Sequence, residues 1–216
     1  MPTAETPAGL SPTVMAVYER ILREVLSGER RAGSVVRDAV IARELGVSRT
    51  PVREALQMLR GIGVIEVLPS RFTRVAVLGL EDVARAGAVS LALYARVVEE
   101  VAASGGPVPI AELDAEQAAA RASVDEPRTF FAHCFRLGDL VIGLSENPHL
   151  RRALDAVDHA LHLALISNAD GVDLERVLDG QQRIIDGLRG GDPVLARDGV
   201  DSLRGLGGGL RLPSTR

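Results

Sequence analysis

The sequence contains no lysine; all 25 of its basic residues are arginine. That usage reads as the codon bias of a GC-rich genome rather than as the mark of a site. Tryptophan is also absent and aromatics make up only 3%, so the core must be built from Leu, Val, Ile and Ala. A single cysteine, Cys134, excludes an intramolecular disulfide and fits a reducing cytoplasm. No apolar run approaches the roughly 20 residues that span a bilayer. The opening "MPTAETPAGLSPT" has neither a basic start nor an apolar stretch. It is expected to be a flexible arm over residues 1–12 rather than a signal peptide, and the protein to be cytoplasmic.

What is present suits a packed globular protein: 216 residues, 46% hydrophobic and 25% charged. The net charge of −4 argues against simple polyanion binding, but it is unevenly spread. Residues 1–78 hold 11 Arg against 8 Asp or Glu, a balance of +3; residues 79–216 hold 14 against 21, a balance of −7. Only the first part can comfortably face phosphates.

Apolar residues at helical spacing predict a helix over 13–26, carried by Val14, Val17, Ile21, Leu22, Val25 and Leu26. A turn-rich connection, "GERRAGSVV", leads to a short helix in "RDAVIAREL" with Ala39, Ile41, Ala42 and Leu45 inward. Gly46 ends it. The next stretch, "GVSRTPVREALQMLR", starts a third helix that Ser48 or Thr50 can cap and whose first turn tolerates Pro51. Val52, Ala55, Leu56 and Leu59 form its apolar face, while Arg49, Arg53, Gln57 and Arg60 point elsewhere. Two β-rich runs, 64–68 and 73–78, flank "PSRF" and predict a hairpin. From Leu80 the pattern is helical, with segments expected at 81–103, 109–122, 126–144, 147–166, 172–189 and 192–206, and a Gly-rich, disordered tail at 207–216. The expected fold is mainly α: a winged helix-turn-helix over 13–78, then an antiparallel all-α helical bundle over 79–206.

Periodicity alone leaves the third helix balanced between a core helix with a solvated face and a helix that reads DNA. In the second case Arg49 and Arg53 lie one turn apart near the end that enters the major groove, where arginine makes paired bonds to guanine O6 and N7. Ser48 and Thr50 then bond phosphates beside the exposed N–H groups of the helix start.

"LGVSRTPVREALQML" resembles, almost position for position, the recognition segment of GntR-family transcription regulators, and "VYERILREVLSGERRAG" resembles that family's first helix and turn. The resemblance spans residues 14–78. It implies that Arg49 and Arg53 read bases, that Ser48 and Thr50 hold the backbone, and that Arg71 and Arg74 of the wing reach phosphates. Two departures stand out: Ala39 where the family often has a DNA-contacting Arg, and Phe72 where a Gly is usual.

The C-terminal half resembles, more weakly, the all-helical (FCD-like) effector domain of the FadR-type subfamily, through "GLSENPHLRRAL" and "IIDGLRGGDPVLARDGV". Many members bind a divalent metal through one Asp and three His. Aligned on these two segments, those positions fall on Cys134, Gly138, Gln181 and Leu203. The implied pocket therefore lacks the family's metal and is expected to take a larger or uncharged effector, or none. His159 and His162, with Asp155, share a helix face at i, i+4 and i+7; both histidines are counted with Cys134, Gly138, Gln181 and Leu203 as effector-pocket residues, and are expected to be hydrogen-bonded helix residues rather than a non-standard metal site. No cofactor and no catalytic residues are expected, since no nucleophile–base pair or phosphate loop is present.

The resulting expectation is a ligand-responsive repressor that binds a short inverted repeat in double-stranded DNA as a homodimer, with a small-molecule effector. Two alternatives remain open at this point: a constitutive regulator with a vestigial effector domain, and a metal-binding or enzymatic bundle.

Overall fold

The computed structural model describes residues 11–68 and 72–205. The expectations placed on the arm (residues 1–10 of it), on Arg71 and on the 207–216 tail lie outside the described residues. The chain divides between Val77 and Leu78 into two compact units, and the architecture is mainly α, a winged helix-turn-helix followed by an all-helical bundle.

In the first unit, α1 (Pro12–Leu26) starts at Ser11, whose hydroxyl accepts from the Val14 N–H, with Pro12 at the first helical position. Val14, Val17, Ile21 and Val25 form its buried stripe. Glu24 is also buried, 5% exposed, and takes hydrogen bonds from Arg20 and Arg30. Burial opposes its charge, but the two guanidinium groups outweigh it and hold the carboxyl below its ordinary pKa. Arg30 also reaches Glu44 at 3.2 Å, so the "GERRAG" turn fastens α1 to α2 (Asp38–Leu45).

Gly46 follows α2 in the left-handed region, φ 66°, and turns the chain into α3 (Arg49–Gly61), whose buried face is Val52, Ala55, Leu56 and Leu59. The sheet has three strands, ordered β1 (Val35–Val36), β3 (Thr73–Val75), β2 (Ile65–Val67), all antiparallel. The hairpin is shorter than its sequence pattern suggests. β1 comes from the segment read as a bare connection: two valines are too short for a period-2 signal, and pairing with β3 makes them a strand. Ala39, expected to face inward, is exposed; Ile41 and Ala42 are buried and Leu45 half-buried.

The second unit is built from α4 (Leu80–Ser104), α5 (Ile110–Ala122), α6 (Pro127–Ile142), α7 (Pro148–Ser167), α8 (Leu174–Gly190) and α9 (Pro193–Ser202). Local chemistry sets the joints. In "SENP" Asn147 caps α7 by accepting from the His149 and Leu150 N–H groups, and Ser145 donates to Glu100 at 3.1 Å. In "GGDP" Gly191, φ 63°, closes α8, and Asp192 caps α9 through the Val194 and Leu195 N–H groups. Helices α8 and α9 approach so closely that a Cβ on Gly187 would overlap the backbone of Ala196, and one on Gly199 would lie 2.7 Å from the Ile184 backbone nitrogen.

Candidate nucleic-acid interface

The buried stripe of α3 leaves the opposite face outward. Arg49 and Arg53 are 56% and 62% exposed at the side chain, against 0% for Val52 and Leu59. Gln57 and Arg60 are exposed as well. Ser48 occupies the N-cap position, but its hydroxyl makes no capping bond, and Thr50 lies inside the first turn. The expected side-chain cap is therefore not formed, and both hydroxyls stay exposed. They line a shallow open hollow together with Ser11 and Thr13 from the start of α1, with Glu54 on its rim.

The two arginines share an anion that no local pattern singles out. Asp38, the first residue of α2, accepts from Arg53 Nε at 2.7 Å and from Arg49 Nη2 at 3.0 Å through both carboxylate oxygens, with Arg49 Nε at 3.3 Å. The bond from Arg53 outweighs desolvation and, with Arg49 and the Ala39 N–H, holds the Asp38 carboxyl below its usual range. The signal was present only as an acid eleven and fifteen residues upstream of two arginines, a spacing that means nothing until α2 and α3 are packed.

In the wing, Arg74 stands opposite Glu66 in the β2–β3 register and bonds it at 2.7 Å. The guanidinium expected to reach phosphates is already paired. Phe72 is 39% exposed, and its carbonyl closes the hairpin on the Leu68 N–H at 3.1 Å.

In the bundle, the candidate pocket residues separate. Cys134 and Gln181 come together: Gln181 Nε2 donates to the Cys134 carbonyl at 3.3 Å. Gln117 Nε2 likewise donates to the Leu178 carbonyl at 2.8 Å, one turn before Gln181 on α8. Those carbonyl acceptors fix both amides, so their oxygens face away, buried and without a partner among the described residues, as is the hydroxyl of Tyr94. Burial pushes the Cys134 thiol up to about 12, against the Gln181 contact, so it is a neutral thiol at physiological pH. Gly138, one turn along α6 from Cys134, has no other group within 4 Å of where a Cβ would stand. Leu203 is 8% exposed and lies over Gly180, as part of the apolar core rather than a polar pocket.

These four positions offer a metal one protonated thiol and one amide, and no group of three or more His, Cys, Asp or Glu among the described residues could hold an ion. The donor set does not fit the family metal.

The histidines have other roles. His159 Nδ1 bonds the Asp155 carbonyl of its own helix at 2.8 Å. His162 stacks on Phe135 with ring centres 4.3 Å apart and planes 12° from parallel, and burial lowers its pKa to about 3, with help from His159 and Arg128. His133 bonds Glu116 at 2.7 Å. Nearby, Ser90 donates to Asp158 at 2.7 Å.

Comparison with known proteins agrees with this division. The family model "Bacterial regulatory proteins, gntR family" matches residues 13–75, and the FCD domain model matches residues 88–203. The chain is 30% identical over 182 residues to the "Probable D-xylose utilization operon transcriptional repressor" of Paenarthrobacter nicotinovorans, covering 83% of this chain and 80% of that protein. It is 22% identical to the "Uncharacterized HTH-type transcriptional regulator YdhC" of Bacillus subtilis (strain 168), over 83% and 82% of the two chains. Among solved structures, a GntR transcriptional regulator from Rhodococcus sp. RHA1 superposes with a TM-score of 0.73 at 18% identity, over 89% of this chain and 93% of that one. E. coli McbR/YncC gives 0.71 at 16%, over 90% and 94%. At these identities the structures speak to the fold alone. Among the described residues, no helix is long and apolar enough to cross a membrane.

Proposed function

Because the chain belongs to the gntR family of bacterial regulatory proteins and carries an FCD domain, it is a DNA-binding transcription regulator, and we propose that it is a cytoplasmic, effector-responsive repressor. In this reading it binds a short inverted repeat as a homodimer, one α3 per half-site. The observation that carries the reading is the pair Arg49 and Arg53, exposed on the outward face of a helix whose other face is fully buried. Ser48 and Thr50 hold phosphates from the hollow at the helix start. Arg74 serves the wing's own structure through Glu66, while Arg71 remains a phosphate contact. The reading assigns no catalytic step. In a gel shift at fixed salt, Arg53→Ala is expected to lose specific DNA binding by tenfold or more, the worth of one paired guanine contact, with its helical circular dichroism intact. Unchanged specific binding overturns the assignment.

The bundle holds the effector site around Gln181, Cys134 and Gly138. Buried amide oxygens without partners support an uncharged ligand that donates hydrogen bonds, and a donor set that does not suit a metal disfavours a small carboxylate anchored on one. The repressor reading draws on the relative named for a D-xylose utilization operon, whose printed name also makes neutral sugars a sensible first panel. A true effector raises the melting temperature in a thermal-shift screen. A panel of neutral and acidic metabolites that leaves it unmoved supports the constitutive reading instead, which the core position of Leu203 also favours.

A further inference from the structure

Three hydrogen bonds reach Asp38 from Arg49 and one from Arg53, and all four use the same side of each guanidinium, the Nε edge with its neighbouring Nη2. A guanidinium has a second fork at its tip, formed by Nη1 and Nη2, and that fork is what spans guanine O6 and N7. With the Nε edges bound, both tips remain available on an exposed helix face. The carboxylate is itself held: Oδ1 also accepts from the Ala39 N–H at 2.7 Å, and Asp38 is 21% exposed at the side chain while the arginines are more than half exposed. A single fixed anion thus orients two long, otherwise mobile side chains on a neighbouring helix.

We propose that Asp38 is a positioning residue for base reading: it clamps the Nε edges of Arg49 and Arg53 and presents their tips to guanines in the major groove. The proposal rests on the reading of Arg49 and Arg53 as base-contacting. Long side chains lose rotamer freedom when they bind, and a partner that has already restrained them lowers that cost at the moment of binding. The alternative role for an acid in this place is plain repulsion of phosphates, and the two roles have opposite signs. A repelling acid weakens all DNA binding, so its removal strengthens specific and non-specific binding alike. A positioning acid raises specific binding only, so its removal lowers specific binding while non-specific binding holds or rises.

The test measures the ratio of specific to non-specific affinity for the full chain at fixed salt, using operator DNA recovered by genomic pull-down and a scrambled duplex of equal length. Asp38→Asn keeps the shape and removes the charge. It is expected to lower the ratio about tenfold, the effect of leaving two rotamer-rich side chains unrestrained. Asp38→Glu, which retains the carboxylate, is expected to recover part of the loss. Both variants are checked for an intact fold by circular dichroism. If Arg53→Ala lowers the ratio but Asp38→Asn leaves it unchanged or raises it, the proposal is overturned and the base-reading assignment stands. If Arg53→Ala leaves the ratio unchanged, the assignment fails and the proposal with it.

Discussion

Helix α3 and helix α8 carry their chemistry on opposite sides. On α3 the apolar stripe is sealed and the charged groups stand in solvent, held by one carboxylate on a neighbouring helix. On α8 the polar Gln181 and the bare backbone of Gly180 and Gly187 face the interior, while Arg183 and Arg189 face away or out. A surface that meets a large polyanion must project arginines and tolerate their solvation. An interior that packs helices backbone to backbone, and that keeps amide oxygens buried, is shaped instead by what fits between its own elements. The difference explains why one half announces its partner and the other does not.

The interior can be broken at the close approach of α8 and α9. Gly187→Ala places a methyl group against the Ala196 backbone, where no flexible side chain can yield. The expected cost is about 2–3 kcal/mol, a fall in melting temperature of roughly 5–10 °C for a chain of this size. Gly190→Ala, three residues on with nothing within 4 Å of the added Cβ, is the control; it is expected to be neutral or stabilising by about 0.5 kcal/mol. Equal behaviour of the two variants in thermal melts would remove close packing as the reason for glycine on α8.

A smaller effect sharpens the contrast in titration. His162 is neutral in the folded chain down to about 3, whereas an unfolded imidazole takes up its proton near 6.5. A depressed folded pKa means that stability is complete above 6.5 and declines as the pH falls from 6.5 towards 3. At pH 5 the loss amounts to about 2 kcal/mol. Asp158 acts with the opposite sign. Burial raises it from 3.8 to about 6, so its contribution is present below 3.8 and lost as the pH rises through 6. Comparing wild type with His162→Leu isolates the histidine. Urea melts at pH 7 and pH 5 are expected to show the wild type losing stability relative to the variant on acidification, and a constant difference would contradict a buried neutral imidazole.

What was legible in the sequence was local. The stripe Val52, Ala55, Leu56, Leu59 set the orientation of α3, and the helical pattern placed the starts of α7 and α9 within one residue, because each depends on residues within a turn of one another. The features that escaped depend on distant segments meeting. Val35 and Val36 become a strand only beside β3, and Glu24 tolerates burial only because Arg20 and Arg30 converge on it. Asp38 acquires a role only when α2 lies against α3. Gly187 reads as a weak point in a helix until Ala196 is placed against it. The candidate effector residues illustrate both sides. Gln181 bonds the Cys134 carbonyl across two helices, while Leu203, matched to the same family pocket, fills the space over Gly180, which no alignment foresees.

The most direct measurement is binding at fixed salt of wild type and Arg53→Ala to operator DNA in which single guanines are replaced by 7-deazaguanine, which lacks the N7 acceptor. The account predicts that wild type loses about tenfold in affinity at one guanine per half-site, and that Arg53→Ala, already weak, is indifferent to the same replacement. Wild-type binding that is unaffected at every guanine, or an Arg53→Ala variant that still responds as wild type does, would contradict the claim that α3 reads DNA through this arginine.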